Sequence, residues 1–310
     1  MKAAAIGIAI VAAAVLVAAA TWLRTPVGRF DADAAIGAAQ AYDARIIRDK
    51  FGVPHIYGKR DGDVAFGLAY AHAEDDWATF ENVLLFARGE LGRRTGREGA
   101  TTDYLIAALR IGADIDAKYE TDLSAETRAL LEGYAAGLNL YCAEERRRCA
   151  AGLAPVTAKD IVAGFAARTP FFYALDTTLK TLFEGAPKEQ AAIGAVREAF
   201  FKIAPEAELG SNAVAVAPSR SADGHTRLMI NSHQPYTGPI AWYEARVKSE
   251  EGWDMIGGVF PGSPIILHGA GPILGWAHTV NMPDLADVYA LEVDDPKEPT
   301  RYRRVAPARA

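Results

Sequence analysis

The chain has 310 residues, of which 50% are hydrophobic and 23% are charged. This composition is typical of a folded protein with a large core, and it excludes disordered, collagen-like and low-complexity chains. The 33 basic and 39 acidic residues give a formal net charge of -6, which argues against a nucleic-acid partner. The length allows one or two domains.

The N-terminus carries an apolar run, from Ala3 to Leu23, that follows Lys2 and ends before Arg24. A basic start followed by an apolar stretch is typical of a secretory signal peptide. As a helix the run would be about 30 Å long, at ~1.5 Å per residue, which is also enough to cross a bilayer. We therefore assign residues 1–26 to a signal peptide or a membrane anchor. The protein is expected to be periplasmic, or anchored in the membrane and facing the periplasm.

Two cysteines, Cys142 and Cys149, lie close together in the sequence. In an oxidising compartment they can form a disulfide across a short loop, which would stabilise the fold by ~2–3 kcal/mol. Two free thiols near a helix end are the alternative interpretation. No histidine lies nearby, so the pair is not predicted to bind zinc.

The first half of the chain begins with strands and continues with helices. Residues 42–58 alternate like two strands joined by a turn at 52–54. Helical periodicity then runs from Asp61 to Arg88, opened by acidic residues. Further helices are predicted over 121–148, 157–168 and 188–202.

After Gly210 the pattern changes to short β-rich runs separated by Gly, Pro, Asp and Asn, which predicts antiparallel strands. Helices first and strands second favour an α+β fold, with an antiparallel sheet layered with helices. The runs are SNAVAVAPS, TRLMINSHQ, WYEARVKS, DMIGGVFPG, PIILHGAG, LGWAHTV and VYALEVDD.

A candidate nucleophile, Ser211, lies where the helical connector meets the first of these strands. A Gly-Ser-Asn triplet by itself is typical of a turn. The surrounding residues are not a G-x-S-x-G elbow, so nothing local favours an α/β-hydrolase. A conventional Ser-His-Asp hydrolase with His233 and Asp254 or Asp284 is one alternative.

Six segments occur along the chain in the order found in one known family. They are IIRDKFGVPHIYG (46–58), FGLAYAHAEDDW (66–77), GSNAVAVAPSRSADG (210–224), INSHQP (230–235), FPGSP (260–264) and GWAHTVNMPDLADVYAL (275–291). Together they resemble the penicillin acylase family of N-terminal-nucleophile hydrolases. Within it, the likeness is to acyl-homoserine-lactone and aculeacin-type lipopeptide acylases. The resemblance implies a four-layer αββα sandwich, only partly covered by this chain.

The resemblance also implies that one precursor becomes an α/β heterodimer. Residues 27–186 would form the helical α-chain region, and 187–210 a connector that is removed on maturation. Residues 211–310 would start the β-chain. In the family a second oxyanion donor, an asparagine side chain, lies further downstream than Ala310, so we expect this chain to be truncated.

The implied chemistry begins with self-cleavage between Gly210 and Ser211. The Ser211 hydroxyl would attack the Gly210 carbonyl, and hydrolysis of the resulting ester would free the α-amino group of Ser211. Glycine at position 210 suits a tight backbone and a close approach. A free α-amine has a pKa of about 7.7–8.0, so near neutral pH it can act as the base for its own hydroxyl. This catalysis needs no cofactor.

Other site residues follow from the same resemblance. His233 would hydrogen-bond the new α-amino group, although a histidine satisfied in a strand is the alternative. The backbone N–H of Val280 would donate to the oxyanion. Asp284, Ala286 and Asp287 would bind a structural calcium through two carboxylates and a backbone carbonyl. Two solvated aspartates at a strand end are the alternative.

We therefore predict an exported amide hydrolase that removes an N-acyl side chain from a small molecule through an acyl-serine intermediate. An acyl-homoserine lactone, a lipopeptide and a β-lactam all fit this class. Trp242, Phe260 and Trp276 either line an acyl pocket or belong to the core. The alternative function is an inactive acylase-like fragment or binding protein that lacks the downstream asparagine.

Overall fold

The computed structural model describes residues 30–173, 175, 178–179 and 210–279, together with 287, 289, 291–295, 297–298 and 300–302. Its helices are α1 (Ala32–Ala39), α2 (Asp61–Arg88), α3 (Gly92–Thr95), α4 (Arg97–Ala108), α5 (Ile111–Asp122), α6 (Ala125–Glu144) and α7 (Ala158–Phe172). Its strands are β1 (Ala44–Arg48), β2 (Pro54–Gly58), β3 (Ser211–Val216), β4 (Arg227–Ser232), β5 (Tyr243–Ser249), β6 (Asp254–Val259), β7 (His268–Ala270) and β8 (Gly275–Trp276).

The long helix α2 has the bounds that the sequence predicts. At its start the Asp63 carboxylate accepts the backbone N–H of Arg60 at 3.0 Å, which satisfies one of the free donors of a helix N-terminus. At its end Gly89 has a φ of 65°, the left-handed conformation that commonly closes a helix. The helix is kinked at Asp76, where φ is -148°.

The other helical predictions have mixed outcomes. Helix α6 falls within the predicted 121–148, and α7 begins at Ala158 and extends beyond the predicted 157–168. Helices α4 and α5 are not among the predicted helices, and each buries one narrow face that includes few large apolar residues. The helix predicted over 188–202 lies outside the described residues, as does the predicted connector apart from Gly210.

The larger sheet has the strand order β1-β2-β5-β6-β7-β8. Strands β5 to β8 form the predicted antiparallel meander. The N-terminal hairpin β1–β2 joins its edge, and β2 runs parallel to β5. The expectation of a wholly antiparallel sheet is therefore wrong at this one pairing, which brings together segments that are far apart in sequence.

Helix α2 lies between this sheet and helix α6, and glycines let it approach both. A Cβ atom on Gly137 of α6 would lie 2.2 Å from the carbonyl oxygen of Phe66 in α2. A Cβ atom on Gly67 of α2 would lie 2.7 Å from the Ile56 side chain in β2. The core is thus formed by helices on one face of a sheet, and the predicted α+β class is confirmed.

A polar network fixes the kinked part of α2 to the sheet. The Tyr243 hydroxyl donates to the Asp75 carboxylate at 2.6 Å, and the Arg48 guanidinium donates to the same oxygen at 2.8 Å. Burial and the neighbouring Asp75 carboxylate raise the pKa of Tyr243. His72 stacks on the Tyr243 ring with 3.8 Å between ring centroids, and burial lowers the pKa of His72 to about 3. His72 is therefore a neutral packing residue.

Strands β3 and β4 form a separate two-stranded hairpin, in which Ser211 pairs with Ser232. This hairpin carries the candidate nucleophile. Within the part of the chain that the structure describes, no helix is long and apolar enough to cross a membrane. Residues 1–26, for which the sequence predicts a signal peptide or anchor, lie outside that part.

Candidate active site

Ser211 is the first residue of β3 and follows Gly210 directly. The Gly210–Ser211 peptide bond, which is the candidate for self-cleavage, therefore lies at the end of the hairpin. The Gly210 carbonyl oxygen accepts two hydrogen bonds. One comes from the Ser211 hydroxyl and the other from the backbone N–H of His233, at 3.0 Å. The hydroxyl therefore lies against the carbonyl group that it would attack, and a second donor already binds the oxygen that would gain negative charge.

The imidazole of His233 also lies beside this bond. A Cβ atom placed on Gly210 would be 3.1 Å from Nδ1 of His233 and 3.8 Å from Cε1. The ring therefore occupies the space next to Gly210, and any larger residue there would push against it. The structure brings His233 beside the Gly210–Ser211 bond, although the β3–β4 hairpin separates it from these two residues in sequence.

Two asparagines hold the far side of the His233 ring. The side-chain amides of Asn212 and Asn231 lie 3.4 Å and 3.3 Å from Nε2, and the Asn231 amide also donates to the Asn212 amide oxygen at 3.4 Å. Asn212 and Asn231 are paired across the hairpin, which places both on the same face. They fix the ring so that Nδ1 is the nitrogen facing Gly210.

For the Ser-His-Asp alternative, one of the two acids considered is already paired with other residues. Asp254 accepts from Arg246 at 2.7 Å and from Lys248 at 2.9 Å on the β5–β6 hairpin, so its carboxylate is already paired. Asp284, the other acid considered, lies outside the described residues. None of the hydrogen bonds that the structure describes for the His233 side chain goes to a carboxylate.

The structure also contains a Ser-His contact that the sequence does not reveal. Ser232, opposite Ser211 in the hairpin, lies 3.0 Å from Nδ1 of His268 in β7. Burial, with a smaller effect from His278, lowers the pKa of His268 to about 4. The contact connects the hairpin to the larger sheet.

An aromatic cluster extends from His268 away from the hairpin. The Trp242 ring lies 4.2 Å from the His268 ring and 4.1 Å from the Phe260 ring, between centroids. Phe172 of α7 stacks on Phe260 at 6.1 Å and is partly exposed, whereas Phe260 belongs to the hydrophobic core. Trp276 lies apart from this stack, and its indole N–H donates to the Leu267 carbonyl at 2.8 Å.

Comparison with known proteins decides the family. The sequence matches the family described as penicillin amidase over residues 43–309. The chain belongs to the penicillin amidase family.

Characterised relatives from this family are named as acylases. An acyl-homoserine lactone acylase PvdQ from Pseudomonas putida is 31% identical over 84% of this chain and 36% of its own length. The PvdQ acylase of Pseudomonas fluorescens is 32% identical, with the same coverage of each chain. Aculeacin-A acylase from Actinoplanes utahensis is 25% identical over 84% of this chain and 36% of its own length. The chain therefore spans about 36% of the length of these relatives.

A solved structure is also similar. A thermostable penicillin G acylase from Alcaligenes faecalis aligns at 18% identity with a TM-score of 0.38. The alignment covers 54% of this chain and 95% of that chain. The match of the family model over residues 43–309 confirms the resemblance noted in the sequence at the level of the family.

The remaining site predictions for this penicillin amidase family member fall at the edge of the described residues. Val280, Asp284 and Ala286 lie outside them. Asp287 is exposed, and the Tyr289 hydroxyl donates to its carboxylate at 3.5 Å. The described residues contain no group of three or more His, Cys, Asp or Glu side chains that could hold a metal ion. The calcium site therefore stays a prediction.

Cys142 and Cys149 form a disulfide at the end of α6. The first cysteine is buried in the helix and the second lies in the turn after it. The bond closes a loop on the helical side of the molecule, on a different element from the hairpin that carries Ser211.

Proposed function

We propose that the protein is an exported N-acyl amide hydrolase that matures by cleaving its own Gly210–Ser211 bond. The observation that carries this proposal is the pair of donors on the Gly210 carbonyl oxygen, namely the Ser211 hydroxyl and the His233 backbone N–H. Membership of the penicillin amidase family and relatives named as acylases support the same chemistry.

In the proposed maturation, the Ser211 oxygen attacks the carbonyl carbon of Gly210. The C–N bond between the two residues breaks, an ester forms on the serine oxygen, and the nitrogen becomes a free α-amine. Water then hydrolyses the ester, which leaves a carboxylate on Gly210 and a hydroxyl on Ser211. The His233 N–H stabilises the oxyanion of this step, and loss of one such donor typically costs about 3 kcal/mol.

In the mature enzyme, the free α-amine of Ser211 takes the proton of its own hydroxyl as that oxygen attacks the acyl carbon of the substrate. The amine product leaves with a proton, and water releases the acid from the acyl-serine. His233 would position the α-amine, because Nδ1 faces the place that Gly210 occupies before the cut. The backbone N–H of Val280 is proposed as an oxyanion donor for the substrate.

We further propose that the substrate is a small N-acyl amide, in particular an N-acyl-homoserine lactone. Relatives with 31% and 32% identity are named for that activity. The partly exposed rings of Trp242 and Phe172, which both stack on the buried Phe260, offer an apolar surface for the acyl chain, connected to the hairpin through His268 and Ser232. Burying an acyl chain against such rings is favourable by ~0.8 kcal/mol for each methylene.

After the cut, the two chains are proposed to remain together as a heterodimer. Strand β2 precedes the cut and β5 follows it, yet the two are hydrogen-bonded neighbours from His55↔Arg246 to Gly58↔Ser249. Location in the periplasm is proposed from the N-terminal apolar run, and the Cys142–Cys149 disulfide supports an oxidising compartment.

The substitution Gly210→Ala should slow maturation without changing catalysis by the molecules that have matured. The added Cβ would lie 3.1 Å from Nδ1 of His233, and relief of that contact would disturb the attack geometry. We expect self-cleavage to slow by about 10- to 100-fold, the equivalent of ~1–3 kcal/mol of overpacking. Time-resolved gels would measure the cut, and acid released from an N-acyl-homoserine lactone would measure catalysis.

The control is Gly37→Ala in α1, where an added Cβ meets nothing within 4 Å. This variant should be cleaved at the normal rate. Molecules of Gly210→Ala that have been cut should release acid as fast as the unmodified enzyme, because maturation has already separated residue 210 from Ser211. Cleavage of Gly210→Ala at the normal rate would contradict the proposed geometry.

A further inference from the structure

Arg168 of α7 is buried between the helices and two loops of the strand region. Its side chain is 2% exposed. Nε donates to the carbonyl of Gly164 at 2.8 Å, and Nη1 donates to the carbonyls of Pro239 and Pro261, both at 3.0 Å. All three partners are neutral carbonyl groups, so no carboxylate within the described part of the chain is hydrogen-bonded to the guanidinium.

The remaining nitrogen, Nη2, is buried and has no hydrogen-bond acceptor among the residues that the structure describes. The Phe165 ring, 5.5 Å from Cζ, provides a weak cation–π contact. Burial lowers the pKa of Arg168 to about 10, so the side chain is still charged at neutral pH. A buried charge without a counter-charge is costly, and proteins commonly neutralise such a group with an ion or an opposite charge.

Two glycines lie beside Nη2. A Cβ atom on Gly262 would lie 3.6 Å from Nη2 and 3.3 Å from the Val83 side chain, and no further contact occurs within 4 Å. A Cβ atom on Gly164 would lie 3.7 Å from Nη2 and 3.6 Å from Val83. With glycine at both positions, neither residue has a side chain that covers the nitrogen of Arg168 that lacks an acceptor among the described residues.

Tyr134 of α6 supplies a second unsatisfied donor in this region. Its hydroxyl is fully buried and lies near the backbone N–H of Gly262, and its proton has no acceptor among the described residues. It is close enough to Arg168 for the two groups to affect each other's pKa. Two donors that both lack an acceptor, one of them charged, call for a species that only accepts hydrogen bonds.

We propose that the space beside Arg168 Nη2 binds a small monovalent anion, of which chloride is the physiological example. The anion would accept from Arg168 and Tyr134 and would neutralise the buried guanidinium. Arg168 and Tyr134 precede Gly210 in sequence, whereas the loops containing Pro239 and Pro261 follow it. The anion would therefore lie between residues that precede Gly210 and residues that follow it. Its role would be structural and distinct from acyl transfer.

The test uses the whole protein with bromide as the probe, because bromide replaces chloride and has an anomalous X-ray signal. Crystals grown in sodium bromide should show an anomalous peak in contact with Arg168 Nη2. In solution, chloride or bromide should raise Tm by about 2–4 °C in a saturable way, relative to fluoride at equal ionic strength. Arg168→Met should abolish this halide-dependent rise, and Tyr134→Phe should reduce it.

The matched control is Arg148→Met, an arginine whose side chain is 63% exposed, which should keep the full halide effect. If Arg168→Met fails to fold, the anomalous bromide signal in crystals of the unmodified protein still tests the proposal. A water molecule, or a carboxylate of the chain itself, found beside Nη2 would overturn the proposal. Bromide density without a halide-dependent change in Tm would overturn binding in solution.

Discussion

Ser211→Ala is expected to leave the Gly210–Ser211 bond intact and to reduce acyl release by about 10⁴-fold or more, which is the typical consequence of removing a catalytic nucleophile. One atom serves both reactions in the proposed mechanism, because the same hydroxyl that contacts the Gly210 carbonyl later attacks the substrate. The α-amino base is also never freed in this variant. Gel analysis and an acid-release assay on the same sample would measure the two losses.

The matched control for this experiment is Ser232→Ala, the serine paired with Ser211 across the hairpin. It removes the hydrogen bond to His268 and should cost stability of about 1 kcal/mol, while cleavage and acyl release persist. If Ser232→Ala were as inactive as Ser211→Ala, the assignment of the nucleophile would be wrong. Acyl release by an uncut Ser211→Ala protein would be equally contradictory.

Gly137→Ala is expected to destabilise the folded protein by about 3 kcal/mol or more, because overpacking at a rigid contact is costly. The added methyl would lie 2.2 Å from the backbone oxygen of Phe66, and a carbonyl of α2 cannot rotate away as a flexible side chain could. Helix α2 also packs on the sheet, so moving it would disturb the core on both faces. Urea unfolding of the protein in the uncut Ser211→Ala background would measure the effect on one chain.

The same methyl group placed on Gly112 of α5 provides the control. There it would meet nothing within 4 Å, so Gly112→Ala should be neutral or stabilising by up to about 1 kcal/mol, through the higher helix propensity of alanine. Equal effects of the two substitutions would show that helix propensity, and not the contact between α2 and α6, governs the response at Gly137.

Much of the fold follows from local sequence patterns. Helix α2 has its predicted bounds because the apolar spacing, the acidic start and Gly89 all favour the same element. The strands after Gly210 are likewise marked by Gly, Pro and Asn. The parallel pairing of β2 with β5 has no local signal, because it depends on segments nearly 200 positions apart coming together.

The residues of the candidate site likewise include some that the sequence indicates and some that it does not. The resemblance to acylases indicates Ser211 and His233, and the hairpin places them together. Asn212 and Asn231 carry a weaker signal, which is their position on the same face of two paired strands. The Ser232–His268 contact could not have been found in the sequence, because it depends on how the hairpin packs on β7.

The central claim is that the working enzyme has Ser211 at a chain terminus, with its own nitrogen as the base. N-terminal sequencing and intact-mass analysis of the purified whole protein, performed on the sample that releases acid from an N-acyl-homoserine lactone, test it most directly. The account predicts one chain that begins Ser211-Asn212-Ala213. Active protein in which any residue still precedes Ser211 would contradict it.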